Sequence, residues 1–82
     1  MTNRLSVQEA TELFLENEGL VAWTVKRYFG NNAPDLLAEM EEEARQALWT
    51  AAVKYDPAKA RFSTWAVTVI RNCLLRWLRQ TK

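Results

Sequence analysis

Trp65, Thr68, Asn72, Arg76 and Arg79 follow one another at steps of three, four, four and three. On a helix, that spacing places them along one edge. The edge reads aromatic, hydroxyl, amide, guanidinium, guanidinium. Those types can stack on a base, hydrogen-bond a base edge or the backbone, and clamp phosphates. Phe62, Ser63 and Thr64 stand just ahead of it, where the free amides of a helix start attract phosphate, and Arg61 adds a cation. Residues 57–82 carry Lys59, Arg61, Arg71, Arg76, Arg79 and Lys82 and no acid, a charge of +6. Residues 1–56 hold ten acids against five bases, or −5, so the overall +1 conceals a split. A basic segment interleaved with aromatics suits a nucleic-acid strand, because cations meet phosphates and flat rings meet bases. The competing reading is a core helix whose solvated edge happens to be basic, with Trp65 simply buried.

A second cluster lies upstream. Glu39, Glu42 and Glu43 occupy neighbouring helical turns, with Arg45, Gln46 and Trp49 continuing along the helix. A carboxylate row ending in a tryptophan has the character of a docking surface for a basic partner. Its alternative is a solvated face with intrahelical pairing such as Glu41 with Arg45.

Other chemistries have little to work with. The chain has no histidine, the commonest general base and metal ligand. One cysteine, Cys73, builds neither a zinc site nor an internal disulfide, and reads as a small buried hydrophobe of a reducing cytoplasm. Gly-rich phosphate loops and nucleophile elbows are absent from the sequence. An enzyme is therefore disfavoured, and no metal or cofactor is expected.

The elements that must position these residues are helical. Eighty-two residues, 49% apolar and with two glycines and two prolines, imply a single all-α domain over 1–82, a compact bundle of about four helices. No apolar run reaches the ~20 residues of a membrane span, and no secretory signal opens the chain. The first helix covers about 7–16, with a capping box of Ser6 and Glu9 and a staple of Leu5 on Ala10. The second covers 18–29, capped by Asn17 and ended by a left-handed Gly30, with Leu20, Val21, Trp23, Thr24, Val25 and Tyr28 as a broad apolar surface. The third covers 34–54, with Pro34 and Asp35 in its first turn and Leu37, Met40, Ala44, Ala47, Leu48 and Ala51 as its stripe. Tyr55-Asp56-Pro57 stops it. Ser63 caps the fourth, which runs to about 80 with Ala66, Val69, Ile70, Cys73, Leu74 and Trp77 as core.

Three stretches then resemble a known family. Gly19-Leu20-Val21 through Lys26-Arg27-Tyr28, the run from Glu39 to Trp49, and Lys54-Tyr55-Asp56-Pro57 followed by Arg61-Phe62-Ser63-Thr64-Trp65-Ala66 and Ile70-Arg71-Asn72 are similar to the second conserved region of bacterial RNA polymerase sigma factors of the sigma-70 class. The closing Leu75-Arg76-Trp77-Leu78-Arg79 resembles sporulation and extracytoplasmic-function members. The likeness covers about 17–82. It implies a transcription initiation factor domain, not an enzyme, whose acidic helix docks on a coiled coil of the polymerase's largest subunit. The implied contacts are Glu39, Glu42, Glu43, Arg45 and Trp49. It also implies that Phe62, Thr64, Trp65, Thr68, Asn72 and Arg76 read the non-template strand of the −10 promoter element as single-stranded DNA, with Trp65 where the family stacks an aromatic near a flipped base. An anti-sigma factor is a further partner class.

Departures qualify these implications. Housekeeping members carry two adjacent tryptophans that wedge the strands apart where this chain has Thr68-Val69. Ala44 and Ala47 replace glycines of the docking helix, and their methyls are expected to hinder close approach. The other reading is a sigma-like helical interaction module that binds polymerase or a regulator without reading DNA.

Overall fold

The computed structural model describes residues 6–81. They form four helices in chain order: α1 (Val7–Glu16), α2 (Gly19–Phe29), α3 (Pro34–Lys54) and α4 (Phe62–Thr81). The third is central and packs against each of the others, most extensively against α4, which also meets α2. The all-α expectation holds. The outline, 42 × 22 × 18 Å, is drawn out along the two long helices.

Helix starts and stops follow local chemistry, with three differences from the sequence expectation. The capping box on α1 is formed, Ser6 N–H donating to Glu9 Oε1 at 2.9 Å and Glu9 N–H to Ser6 Oγ at 3.1 Å. The staple on Leu5 lies outside the described residues. Asn17 does not cap α2. It closes α1, its N–H donating to the Phe14 carbonyl and its Nδ2 to the Leu13 carbonyl at 2.8 Å, two of the carbonyls a helix end leaves unpaired. Gly30 ends α2 at φ −62°, not in the left-handed region. A Cβ there would stand 2.6 Å from the Lys26 carbonyl oxygen, so the glycine is needed for space. The last helix starts two residues early, at Phe62, with Trp65 N–H already bonded to the Arg61 carbonyl, so Ser63 lies inside it.

The core is made where α3 meets its neighbours. Met40, Ala44, Leu48, Ala51 and Ala52 of α3 and Ala66, Ile70 and Leu74 of α4 are completely buried. The small residues let helix axes approach, and Met40, Leu48, Ile70 and Leu74 fill the space, each contributing about 1.5–3 kcal/mol by burial. Ala44 and Ala47 belong to this inner face, so their methyls pack within the domain and do not stand between α3 and a partner. Val21, Val25 and Phe29 complete the core from α2 and Ala10 from α1.

Thr24 is also fully buried, and its hydroxyl has no hydrogen-bond partner among the described residues. An unsatisfied buried hydroxyl costs about 1–3 kcal/mol. Thr24→Val should therefore raise stability by about 1 kcal/mol in urea titration; a loss of stability would mean that the hydroxyl is bonded in solution.

Candidate nucleic-acid interface

The basic edge exists as a surface. Thr68, Asn72, Arg76 and Arg79 are all exposed along α4, and Arg61, Ser63 and Thr64 are exposed where it starts. Thr68 Oγ1 donates to the Thr64 carbonyl at 3.0 Å, which leaves its lone pairs facing outward as acceptors.

Two aromatics named with that edge sit differently. Phe62 is buried and packs its ring edge-on against Tyr55, centroids 5.1 Å apart. It belongs to the core, and the expectation that it faces DNA is corrected: a ring packed on Tyr55 with 8% exposure offers no stacking surface. Trp65 is half-buried, and its Nε1–H donates to the Ala51 carbonyl at 2.9 Å. That carbonyl lies in the last turn of α3, so the indole caps the end of the third helix from α4.

The segment between α3 and α4 is tightly organised by its own side chains. Asp56 Oδ1 accepts from Ala58 N–H at 3.0 Å, the Asp56 carbonyl accepts from Lys59 N–H, and Tyr55 donates its hydroxyl to the Ala60 carbonyl at 2.6 Å. The Tyr55 ring is held in turn by Phe62. The result is a recess of about 150 Å³ lined by Lys54, Tyr55, Asp56, Lys59, Ala60 and Trp65. The run from Tyr55 to Trp65 thus builds a concave site with an indole wall and two ammonium groups.

A second concavity lies on the other side of the first turn of α4. A groove of about 530 Å³ between α2 and α4 is lined by Leu20, Trp23, Tyr28, Ser63, Thr64, Val67, Thr68 and Arg71. Trp23 and Tyr28 are 52% and 43% exposed, although the sequence reading placed both in the apolar surface of α2. The two rings meet edge-on at 6.4 Å, and the Arg71 guanidinium lies 5.3 Å over the Tyr28 ring. Sequence reasoning did not place these three residues at a site. The only signal was that α2 carries more apolar positions than one face can bury.

The acidic face of α3 divides. Glu39, Glu42, Arg45, Gln46 and Trp49 are exposed and face away from the core. Glu42 and Arg45 pair at 3.4 Å, where Glu41 was expected as the partner of Arg45. Both partners are well exposed, so the pair adds little stability. Trp49 packs edge-on against Phe14 of α1 at 5.9 Å, and both line a groove with Thr11, Leu15, Arg45, Gln46 and Thr50. Glu43 is set apart. It is half-buried on the α4 side, close enough to Cys73 to act on it electrostatically. Burial pushes the Cys73 thiol up from its ordinary value, Glu43 adds to the shift and Arg76 opposes it. The thiol is therefore neutral at physiological pH and packs as an apolar group.

Comparison with known proteins agrees with this architecture. A family model described as Sigma-70 region 2 matches residues 13–82. No curated protein and no solved structure matches the chain. No described helix is long and apolar enough to cross a membrane. The end of α1 and all of α2, α3 and α4, with the acidic outer face of the third and the basic outer edge of the fourth, sit within a match over most of the chain, and on that ground the protein belongs to the sigma-70 region 2 family, a transcription-factor family and not an enzyme family.

Proposed function

We propose that this domain docks on the coiled coil of the largest RNA polymerase subunit through the outer face of α3. With α4 it holds the non-template strand of the −10 promoter element as single-stranded DNA. Family membership supports the general role in polymerase binding and −10 recognition. The observation that carries the strand reading is the recess beside Trp65, opening at the start of an α4 edge that bears cations and no carboxylate. A base leaving the duplex would stack against the indole, with Lys54 and Lys59 beside its phosphate and Thr68, Asn72, Arg76 and Arg79 following the backbone. On the docking face, Glu39 and Glu42 would meet basic side chains around Trp49 as the apolar anchor. Thr68 and Val69 offer no rings to wedge duplex strands apart, so the domain would depend on polymerase to open DNA. An anti-sigma factor would compete for the same two faces.

The reading is tested with the chain assembled on core polymerase and a single-stranded −10 oligonucleotide. Arg76→Ala and Arg79→Ala should each flatten the dependence of log affinity on log salt by about 0.7–1, the contribution of one phosphate contact. A slope unaltered in both variants would place these arginines away from the backbone. It would favour the second reading, a polymerase-binding module that does not read DNA, for which the missing rings at positions 68 and 69 also speak.

A further inference from the structure

We infer that this chain pairs with a second copy of itself, the C-terminal half of α4 of one copy lying in the groove between α1 and α3 of the other. The pairing goes beyond the function proposed above and needs neither polymerase nor DNA, although it covers residues assigned to both. The groove, about 650 Å³, takes its apolar lining from Phe14, Leu15 and Trp49. Leu15 is 60% exposed and Trp49 38%, so the concavity offers apolar surface to another molecule. Carboxylates stand on both helices that form it. Glu12 precedes Leu15 by three residues on α1, and on α3 Glu42 precedes Arg45 and Gln46 by three and four, with Glu39 one turn earlier; all three acids are exposed. Arg45, the cation of the groove, is already matched by Glu42 at 3.4 Å, so the surroundings remain acidic.

The C-terminal half of α4 is the counterpart in shape and in charge. Leu75 is 43% exposed on the outside of the helix. Arg71 and Arg79 stand four residues before and after it on the same face, and Arg76 lies beside it; all three are exposed, and α4 carries no acid. A convex helix surface with a leucine at its centre and arginines around it fits a concave apolar groove edged by carboxylates, as an amphipathic helix is held in a hydrophobic groove. The lengths agree: from Arg71 to Arg79 the helix advances about 12 Å, and the ten residues of α1 make a groove wall of about 15 Å. Ridge and groove share no residue, so the contact is heterologous, the groove of one copy taking the helix of the next. With an overall charge of +1 divided into −5 and +6, two copies have little net repulsion to overcome and gain attraction in this orientation. Trp49 lines the groove and Arg76 and Arg79 flank the ridge, so pairing shields the faces assigned above to polymerase and to the strand. Polymerase would release the chain by taking the groove.

Sedimentation of the chain alone tests the pairing. At low ionic strength the average mass should rise with concentration between about 1 µM and 1 mM, the span of weak association. About 1 M salt, which screens charges beyond about 3 Å, should weaken the association at least tenfold. Leu75→Gln and Leu15→Gln each exchange an exposed leucine for a neutral side chain that suits a helix, so circular dichroism of both should match the wild type. Each should weaken the association by about tenfold or more, the effect of losing one buried leucine. Mixed in equal amounts, the two variants should associate again, because one keeps the groove and the other keeps the ridge. A wild type that stays monomeric over this range overturns the pairing, and so does an association that salt leaves unchanged. Variants that associate like the wild type overturn it too, as does a mixture no heavier than its parts. A monomeric wild type whose Leu15→Gln variant is poorly retained on core polymerase would assign the groove to polymerase instead. Where a variant loses helicity, the concentration and salt series of the wild type decide alone. Neither polymerase nor DNA enters the sedimentation measurements, so a failure of the function proposed above leaves their outcome intact.

Discussion

A chain carrying Glu39→Lys with Glu42→Lys should be retained at least tenfold less on core RNA polymerase while melting at the wild-type temperature. Both carboxylates stand on the outward face of α3, away from the buried Met40, Ala44, Leu48 and Ala51. Their removal costs only the exposed pair with Arg45, a few tenths of a kcal/mol. Opposite a basic partner surface, each reversal replaces an attraction by a like-charge contact, and such contacts cost several kcal/mol at an interface. Glu43 is left out of this test deliberately. It is half-buried against α4 beside Cys73, so Glu43→Lys would disturb the α3–α4 packing and confuse folding with docking. Undiminished retention of the double variant in a pull-down would sink the assignment of this face.

The second large effect is expected at Trp65, where one side chain serves both the fold and the strand. Trp65→Ala removes a half-buried ring and leaves the Ala51 carbonyl without its Nε1–H donor. A tryptophan truncation of this kind costs about 3 kcal/mol or somewhat less at a half-buried site. A domain of 82 residues has roughly 4–12 kcal/mol in total, at 0.05–0.15 kcal/mol per residue. The variant should still fold, with a markedly lower urea midpoint. Its affinity for a single-stranded −10 oligonucleotide, corrected for the folded fraction, should fall by a further 1–3 kcal/mol. Trp65→Phe separates the roles. It keeps a ring at the recess and loses the hydrogen bond, so it should cost about 1 kcal/mol of stability and little affinity. Equal affinity of wild type and Trp65→Ala for the strand, once both are folded, would reduce Trp65 to a helix cap.

The specific run from Tyr55 to Trp65 gains a physical explanation from these contacts. Asp56 and Pro57 stop α3 and turn the chain, Tyr55 ties the turn to Ala60, and Phe62 braces Tyr55 from the core. Phe62 supports the recess from behind; it does not line it. A contact role and a supporting role call for the same aromatic residue in the sequence, and burial alone separates them.

Sequence by itself determined the four helices, the inner stripe of α3 and the charge split between the two halves. These follow from local chemistry: a capping box at Ser6, one proline in the first turn of α3 and another after its end, a period of three and four in the apolar residues, and an acid-free tail. The exposed edge of α4 was legible for the same reason, since Thr68, Asn72, Arg76 and Arg79 are the polar remainder once its apolar stripe is removed. Only the tertiary structure decided the side on which ambiguous residues fall. On α2 nearly every direction carries an apolar residue, so periodicity does not single out the face that meets α3 and α4. Packing buried Val21, Thr24 and Val25 and left Trp23 and Tyr28 outside, because two neighbouring helices cover only part of a helix's circumference. The same long-range packing turned Phe62 inward, tied Trp65 to Ala51 fourteen residues away and drew Glu43 toward Cys73. Helical spacing shows which residues share a face; the placement of the other helices settles what that face meets.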